Sequence, residues 1–237
     1  MRTLMWCLSA VMIGAPASRV LGQGGSVAGY IALVSTPTAG VPPVVKQWML
    51  ADPAHGVGTE TQWGHVSGNG GSLDTFVSGV TLPLAEGRAD VGLSAGYLQA
   101  SCGQGDCTGF AVASGVVEGR VLQSQAGNAT FMLGLSGRIG FAKPGDGTAW
   151  SASASAPLSM AMGSPTGVQI VPFVSPGFGW GRVSEGGDSE SGTRFVLGGG
   201  VGIVSSNSGL GLTLGAHKVF IDGGKLVFGA GLTWARR

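Results

Sequence analysis

The sequence is short of charge, of cysteine and histidine, and of long apolar runs, and each shortage closes off a class of protein. Only 11% of its 237 residues are Asp, Glu, Lys or Arg, and the formal net charge is +1. Without a run of Lys or Arg there is no basic stripe to neutralise phosphates, so nucleic acid is set aside as a partner. Beyond the N-terminus no stretch of about 18 consecutive apolar residues occurs, which excludes helical membrane spans. The three histidines, His55, His65 and His217, and the three cysteines, Cys7, Cys102 and Cys107, are spread too widely to suggest a metal centre or a cofactor anchor. No metal and no cofactor is expected.

Where export is concerned, the N-terminus is informative. Arg2 supplies a positive start, residues 4–13 an apolar core, and Ala15-Pro16-Ala17 a small-x-small cleavage site, with a second possible cut after Gly22. Residues 1–22 therefore read as a cleaved signal peptide. Cys7 would leave with it, and in an oxidising compartment Cys102 and Cys107, four residues apart in a polar stretch, are expected to form a disulfide that clips a loop. Two thiolates with no neighbouring His or Cys cannot complete a tetrahedral metal shell.

Residues 23–58 carry Pro37, Pro42, Pro43 and Pro53, with a possible short helix over 44–51 around Trp48. Proline at this density excludes central strands. The segment is expected either as a periplasmic tether or as a piece tucked inside the domain that follows.

From residue 59 to 237 a period of two takes over, with 46 glycines in the whole chain supplying much of the small face. Leu226, Phe228, Ala230, Leu232 and Trp234 point one way, and Val227, Gly229, Gly231 and Thr233 the other. Trp150, Ala152, Ala154, Ala156, Leu158, Met160 and Met162 oppose a row of serines, and Phe131, Leu133, Leu135, Ile139 and Phe141 oppose Gly134, Ser136, Arg138 and Gly140. Strands are expected at 59–66, 73–84, 88–98, 109–122, 130–142, 149–162, 168–182, 193–204, 210–220 and 225–235. Several exceed the usual length in soluble sheets and approach the nine to eleven or so residues of a tilted membrane-spanning strand.

Connections alternate in length, as bacterial transmembrane barrels require. Tight turns are expected at 85–87, 123–128, 163–167 and 205–209. Longer external loops are expected around Cys102 and Cys107, at 143–148, and at 183–192 with Glu185, Asp188 and Glu190; the hairpin at 221–224 departs from the rule. With that parity Tyr97, Phe141, Trp150, Trp180, Phe195 and Phe220 fall at external strand ends, and Phe131 and Trp234 at periplasmic ends, as two aromatic belts.

At Leu226, Phe228, Ala230, Leu232 and Trp234 the chain resembles the C-terminal strand of outer-membrane β-barrel proteins, in which alternating apolar residues lead to a terminal aromatic. Over residues 73–237 it is similar to the small outer-membrane barrels that include opacity-type surface antigens and porin-like domains. One departure is that Ala235, Arg236 and Arg237 follow Trp234. The resemblance implies residence in the cell outer membrane, the lipid bilayer as principal partner, the barrel-assembly machinery during biogenesis, and small solutes if the barrel is a pore.

Few residues carry candidate chemistry. Glu118 and Arg120 share one strand face, and Asp90 and Arg138 lie on small-residue faces; a charge at mid-bilayer on the lipid side costs roughly 2 to 4 kcal/mol for Arg, so these groups are expected to point into the lumen, as a structural cluster or an ion filter. His217 is expected inward with Thr213 and Gly215, toward the external end, as a polar lumen histidine with no nucleophile or acid beside it. Gly198-Gly199-Gly200 lacks the Lys and helix of a phosphate-binding loop.

The fold expected is all-β, an up-and-down antiparallel transmembrane barrel of eight to ten strands, ten favoured. Its expected role is non-enzymatic, structural and surface-exposed or a narrow porin-like channel. The alternatives are an exported soluble β-sandwich or adhesin-like binding module, and an outer-membrane hydrolase using His217.

Overall fold

The computed structural model describes residues 56–68, 71–85, 88–102, 105–106, 109–143, 147–164, 166–185, 187–220 and 226–235. The signal peptide, the proline-bearing segment up to residue 55 and its possible helix lie outside these. So does the Cys102–Cys107 pairing, since Cys107 and the side chain of Cys102 are not among the described groups.

Twelve strand segments follow one another along the chain: β1 (Gly58–Gly68), β2 (Gly71–Leu84), β3 (Ala89–Cys102), β4 (Gly105–Asp106), β5 (Phe110–Ala126), β6 (Ala129–Ala142), β7 (Thr148–Ser155), β8 (Leu158–Gly163), β9 (Val168–Glu185), β10 (Asp188–Ser205), β11 (Leu210–Val219) and β12 (Leu226–Ala235). Among the described residues every pairing is antiparallel, each stave beside the next along the chain, with the two-residue β4 paired to β3 off this path and β7 and β8 forming two halves of one stave between β6 and β9. The last strand returns to the first: Gly58 faces Ala235 and His65 faces Phe228. That closure makes a ten-stranded up-and-down barrel in which, among the described residues, the staves are paired on both sides through their middle stretches, as a bilayer demands because lipid cannot satisfy backbone groups. It also overturns the β-sandwich alternative, whose two sheets would remain open.

Alternation places the side chains. Along β12 the residues alternate between exposed and buried from Leu226 to Ala235, softened only at Ala230. Outward positions are large and apolar: Leu93 is 73% exposed, Phe178 62% and Leu135 58%. In water each such side chain forgoes about 1.5 to 3 kcal/mol of burial, and a continuous wall of them is stable only against lipid.

Inward positions differ from a uniformly slender lining. Glycine, serine and threonine are there, yet so are Val66, Leu98, Val112, Val219 and Val227 in the external half, all buried. Near the periplasmic end Met132, Ala161, Val171, Val204 and Ala235, from five different strands, make a buried apolar cluster. The Phe173 ring also turns inward, buried, and lies over Gly200, where a Cβ would stand 2.9 Å from its Cζ.

Several boundaries depart from the sequence reading, each for a physical reason. β5 runs on to Ala126, so the turn expected over 123–128 contracts to Gly127 and Asn128, with Gly127 at φ 59. It absorbs an extra residue, Val121, as a bulge between Arg120 and Leu122. The stave expected at 149–162 is broken at Ala156 and Pro157, because proline has no N–H for the ladder. The broken ends remain bonded: Gly134 N–H donates to the Pro157 carbonyl and Ala156 N–H to the Pro176 carbonyl, both at 2.9 Å. The acidic loop expected over 183–192 is instead the tip of the β9–β10 hairpin, whose ladder continues to Glu185 opposite Asp188. Charge does not stop a ladder that has risen into water.

Candidate functional site

Two places gather polar side chains, one inside the barrel and one on its outer wall. Inside, Asp90 on β3 stands opposite Glu118 on β5, which stands opposite Ser136 on β6. All three are buried. Arg138, two residues along from Ser136 on the same inward face, sends Nη2 to Glu118 Oε1 at 2.8 Å, and Ser136 Oγ donates to the same oxygen at 3.0 Å. A buried carboxylate requires such partners, since desolvation is costly unless the charge is matched. Elsewhere on the inward face Gln62 Nε2 donates to Glu60 Oε2 at 2.7 Å.

Of the five lumen residues singled out in the sequence, the structure joins Glu118 and Arg138 directly and sets Asp90 opposite Glu118. Arg120 does not enter the group. It sits at the bulge near the periplasmic turn, and its Nη1 donates to Gln123 Oε1 at 2.5 Å. His217 is inward and buried, opposite Gly198 on β10 and Val227 on β12. Its Nε2 has no hydrogen-bond partner, and no acid or hydroxyl faces it from those two positions. The lumen therefore holds a charge-paired strut and an isolated imidazole. Among the described residues it brings no nucleophile to a base.

On the outer wall the aromatics form rows. Trp63, Phe76 and Tyr97 are successive register partners on β1, β2 and β3. Phe141 and Trp150 lie with ring centroids 4.7 Å apart, and Phe178, Phe195 and Phe220 follow at 5.6 and 5.3 Å. Trp180 projects outward above them on β9, while Phe131 and Trp234 face outward near the periplasmic ends of β6 and β12.

Embedded in this wall is a polar group that the sequence reading passed over. Asp74 on β2 is the register partner of His65 on β1, and its Oδ1 lies 2.9 Å from His65 Nδ1 and 3.1 Å from Trp63 Nε1. Both side chains are about one-third exposed, at 31% and 27%. Trp63 also stacks on the imidazole, with centroids 5.8 Å apart and planes 23° apart. The signal was present in the sequence as a histidine and an aspartate equidistant from a Gly68-to-Gly71 hairpin tip, though only the register makes them neighbours.

No family model and no curated protein matches the chain. Among solved structures it is similar to the β domain of the Bordetella autotransporter Brka, at 14% identity over 77% of this chain and 100% of that one, with a TM-score of 0.43. It is also similar to Ail, the attachment invasion locus protein of Yersinia pestis, at 14% identity over 76% and 97% with a TM-score of 0.30. A third is the translocator domain of the autotransporter NalP from Neisseria meningitidis, at 10% identity over 95% and 99% with a TM-score of 0.32. These are likenesses of shape, and no residue role is taken from them. Ring closure together with a continuous apolar exterior defines the class: an integral transmembrane β-barrel. Closed barrels of this build, with both ends of the sheet on one side of the bilayer, are outer-membrane proteins.

Proposed function

We propose that this chain is a closed, structural and surface-exposed outer-membrane barrel that acts through its outer wall and external rim, not as a passage for solutes. The observation that carries this reading is the buried apolar cluster of Met132, Ala161, Val171, Val204 and Ala235 on the inward faces of β6, β8, β9, β10 and β12 near the periplasmic end. Above it come the inward Phe173 and the Glu118–Arg138 strut. Water and hydrated ions avoid an apolar constriction, so such a layer shuts a pore by dewetting. The tall β9–β10 hairpin, reaching past the aromatic rows to Glu185 and Asp188, is the element best placed for display at the cell surface.

In this reading the lipid bilayer is the permanent partner, with the barrel-assembly machinery acting on β12 during insertion. Export by a cleaved signal peptide, the aromatic rows lying at headgroup level, and a disulfide in the loop after β3 belong to the same proposal. The described lumen residues have a structural role in this reading: Glu118 is engaged by Arg138, and His217 Nε2 has no hydrogen-bond partner.

Single-channel recording in planar bilayers tests it. The full chain is expected to show no steady conductance between about −100 and +100 mV, a range on the scale of membrane potentials. Reproducible unitary steps that reverse at the ion gradient would replace this reading with the narrow-pore alternative.

A further inference from the structure

On the external side the staves end at unequal heights. β9 is paired with β7 as far as Ser184, and β10 with β9 as far as Asp188, but β11 leaves β10 at Val219 opposite Val196. One further bond, from the Phe220 N–H to the Phe195 carbonyl at 3.0 Å, ends that ladder. From Arg194 up to Asp188, a step of about 20 Å at strand rise, no strand among the described residues stands beside β10 on that side. The connection 221–225 has to leave Phe220 and return to β12, so at about 3.5 Å per residue it climbs no more than about 10 Å.

That last bond sets the direction of the bare backbone groups. In a strand the N–H and C=O of one residue point to the same side, and the side alternates along the chain. With the Phe195 carbonyl turned toward β11, the main-chain groups of Thr193, Ser191 and Ser189 turn the same way, into the open space above β11. Those of Arg194, Gly192 and Glu190 turn to β9. One carbonyl on this edge has a substitute partner: Arg194 Nη1 donates to the Thr193 carbonyl at 2.6 Å. Side chains do not bar a neighbour, since Ser189, Ser191 and Thr193 are small and exposed and residue 192 is glycine.

We propose that the Asp188–Arg194 edge of β10 docks an extended segment of another protein, which joins the sheet as a further antiparallel strand above β11. A row of main-chain donors and acceptors at strand spacing is complementary to another main chain in the same conformation, and an open strand edge is a template for it. Charge fixes the direction and composition of the segment. Asp188, exposed at the tip, and Arg194, at the foot, lie on one face of β10, and neither is in an ion pair among the described residues. Opposite charges across a strand pair attract and like charges repel. A strand antiparallel to β10 therefore fits when it is acidic at its N-terminal end, against Arg194, and basic at its C-terminal end, against Asp188. On docking, the Thr193 carbonyl exchanges the Arg194 guanidinium for an N–H of the segment. A second copy of this chain is the poorer occupant: β10 runs from tip to foot in both of two barrels standing in one membrane, so their edges meet parallel. The site rests on the surface-display reading of the β9–β10 hairpin. An epitope inserted between Glu185 and Asp188 and stained on intact cells tests that reading separately, whereas docking in detergent does not depend on it.

The test uses the full chain folded in detergent and a fluorescently labelled probe peptide, Glu-Thr-Val-Thr-Val-Thr-Lys, whose residues face Arg194 through Asp188 in turn. Saturable binding by anisotropy is expected, at least about threefold weaker for the peptide with its Glu and Lys exchanged. N-methylation of every Thr, whose amides point at β10, should weaken binding at least about tenfold, and N-methylation of both Val, which point away, should leave it unchanged. Ser191→Pro deletes a donor on the open edge and no bond to β9, and is expected to weaken binding at least about tenfold with the heat-modifiable gel shift of the barrel retained. Should that variant not fold, hydrogen exchange on the unaltered chain reads the same edge. The amides of Ser189, Ser191 and Thr193 should exchange faster than those of Glu190 and Gly192, and bound peptide should slow those three. Absence of saturable binding, equal binding by the two N-methylated peptides, or a dimer that forms through this edge and excludes the peptide overturns the proposal.

Discussion

Arg138 Nη2 reaches Glu118 Oε1 across the β5–β6 pair at 2.8 Å, with side chains only 9% and 1% exposed. A charge pair this deep inside a barrel stands in place of solvent: each member is tolerable because the other is present. Removing one partner of a buried pair typically costs 3 to 5 kcal/mol, about what it costs to strand the survivor.

Arg138→Met is therefore expected to lower the unfolding free energy of the vesicle-inserted barrel by about 3 kcal/mol, read from urea titration of tryptophan fluorescence. The double variant Arg138→Met with Glu118→Met should recover most of that loss, because it removes the stranded charge. A loss under about 1 kcal/mol in the single variant, the scale of a solvated surface pair, would show that water reaches the strut.

Much of this was legible from alternation alone. In β12 the division between Leu226, Phe228, Leu232 and Trp234 outside and Gly229, Gly231 and Thr233 inside follows from the sequence, because a side-chain period of two leaves no other arrangement. The inward course of Glu118 and Arg138 was legible for the same reason. What alternation cannot supply is register. Whether Arg138 comes within reach of Glu118 depends on which rows of β5 and β6 align, while Arg120, beside the bulge at Val121, turns to Gln123. His65 and Asp74 were hidden likewise: nine residues apart, they meet only because the hairpin turns between Gly68 and Gly71. The β9–β10 tip was misread for a different reason. Polarity there reports the end of the bilayer, and ladder hydrogen bonds continue beyond it.

Phe173 and Gly200 make the second prediction. The aromatic ring occupies lumen space that exists because β10 carries no Cβ at 200. Gly200→Val should force the ring and the neighbouring backbone apart and abolish the folded, fast-migrating gel species, whereas Gly127→Ala, at a turn with open space around it, should leave migration intact at a modest cost from its left-handed φ of 59. Phe173→Ala removes the ring without strain and should cost about 3 to 5 kcal/mol, as large-to-small changes at packed aromatic sites do. Equal behaviour of Gly200→Val and Gly127→Ala would show that the lumen is loosely filled at this level.

The loop after β3 supplies a third. An exported chain with Cys102 and Cys107 as its remaining thiols is expected to resist maleimide labelling when purified without reductant and to take up two labels after reduction in denaturant. Because the β3–β5 ladder from Ala89 to Leu98 lies below the loop, the double Ser variant should still insert and shift on a gel. Labelling of both cysteines before reduction would mean that no such bond forms.

Leu135 and Phe131 stand on the same outward face of β6, and their difference in depth gives the most direct test of the membrane assignment. Leu135 is in the middle of the strand and 58% exposed, while Phe131 is its third residue, near the periplasmic turn, and 46% exposed. In water these two positions would tolerate arginine equally well, since both are open. In a bilayer the penalty depends on depth, falling from roughly 2 to 4 kcal/mol at the midplane to about 0 to 1 near the interface, where the guanidinium can reach headgroups. Leu135→Arg is thus expected to lower the stability of the vesicle-folded barrel by about 3 kcal/mol and Phe131→Arg by no more than about 1, measured under identical lipid and urea conditions. Equal effects at the two positions would remove the bilayer from the account of why this wall is apolar, and with it the reason for placing His65 and Asp74 against lipid.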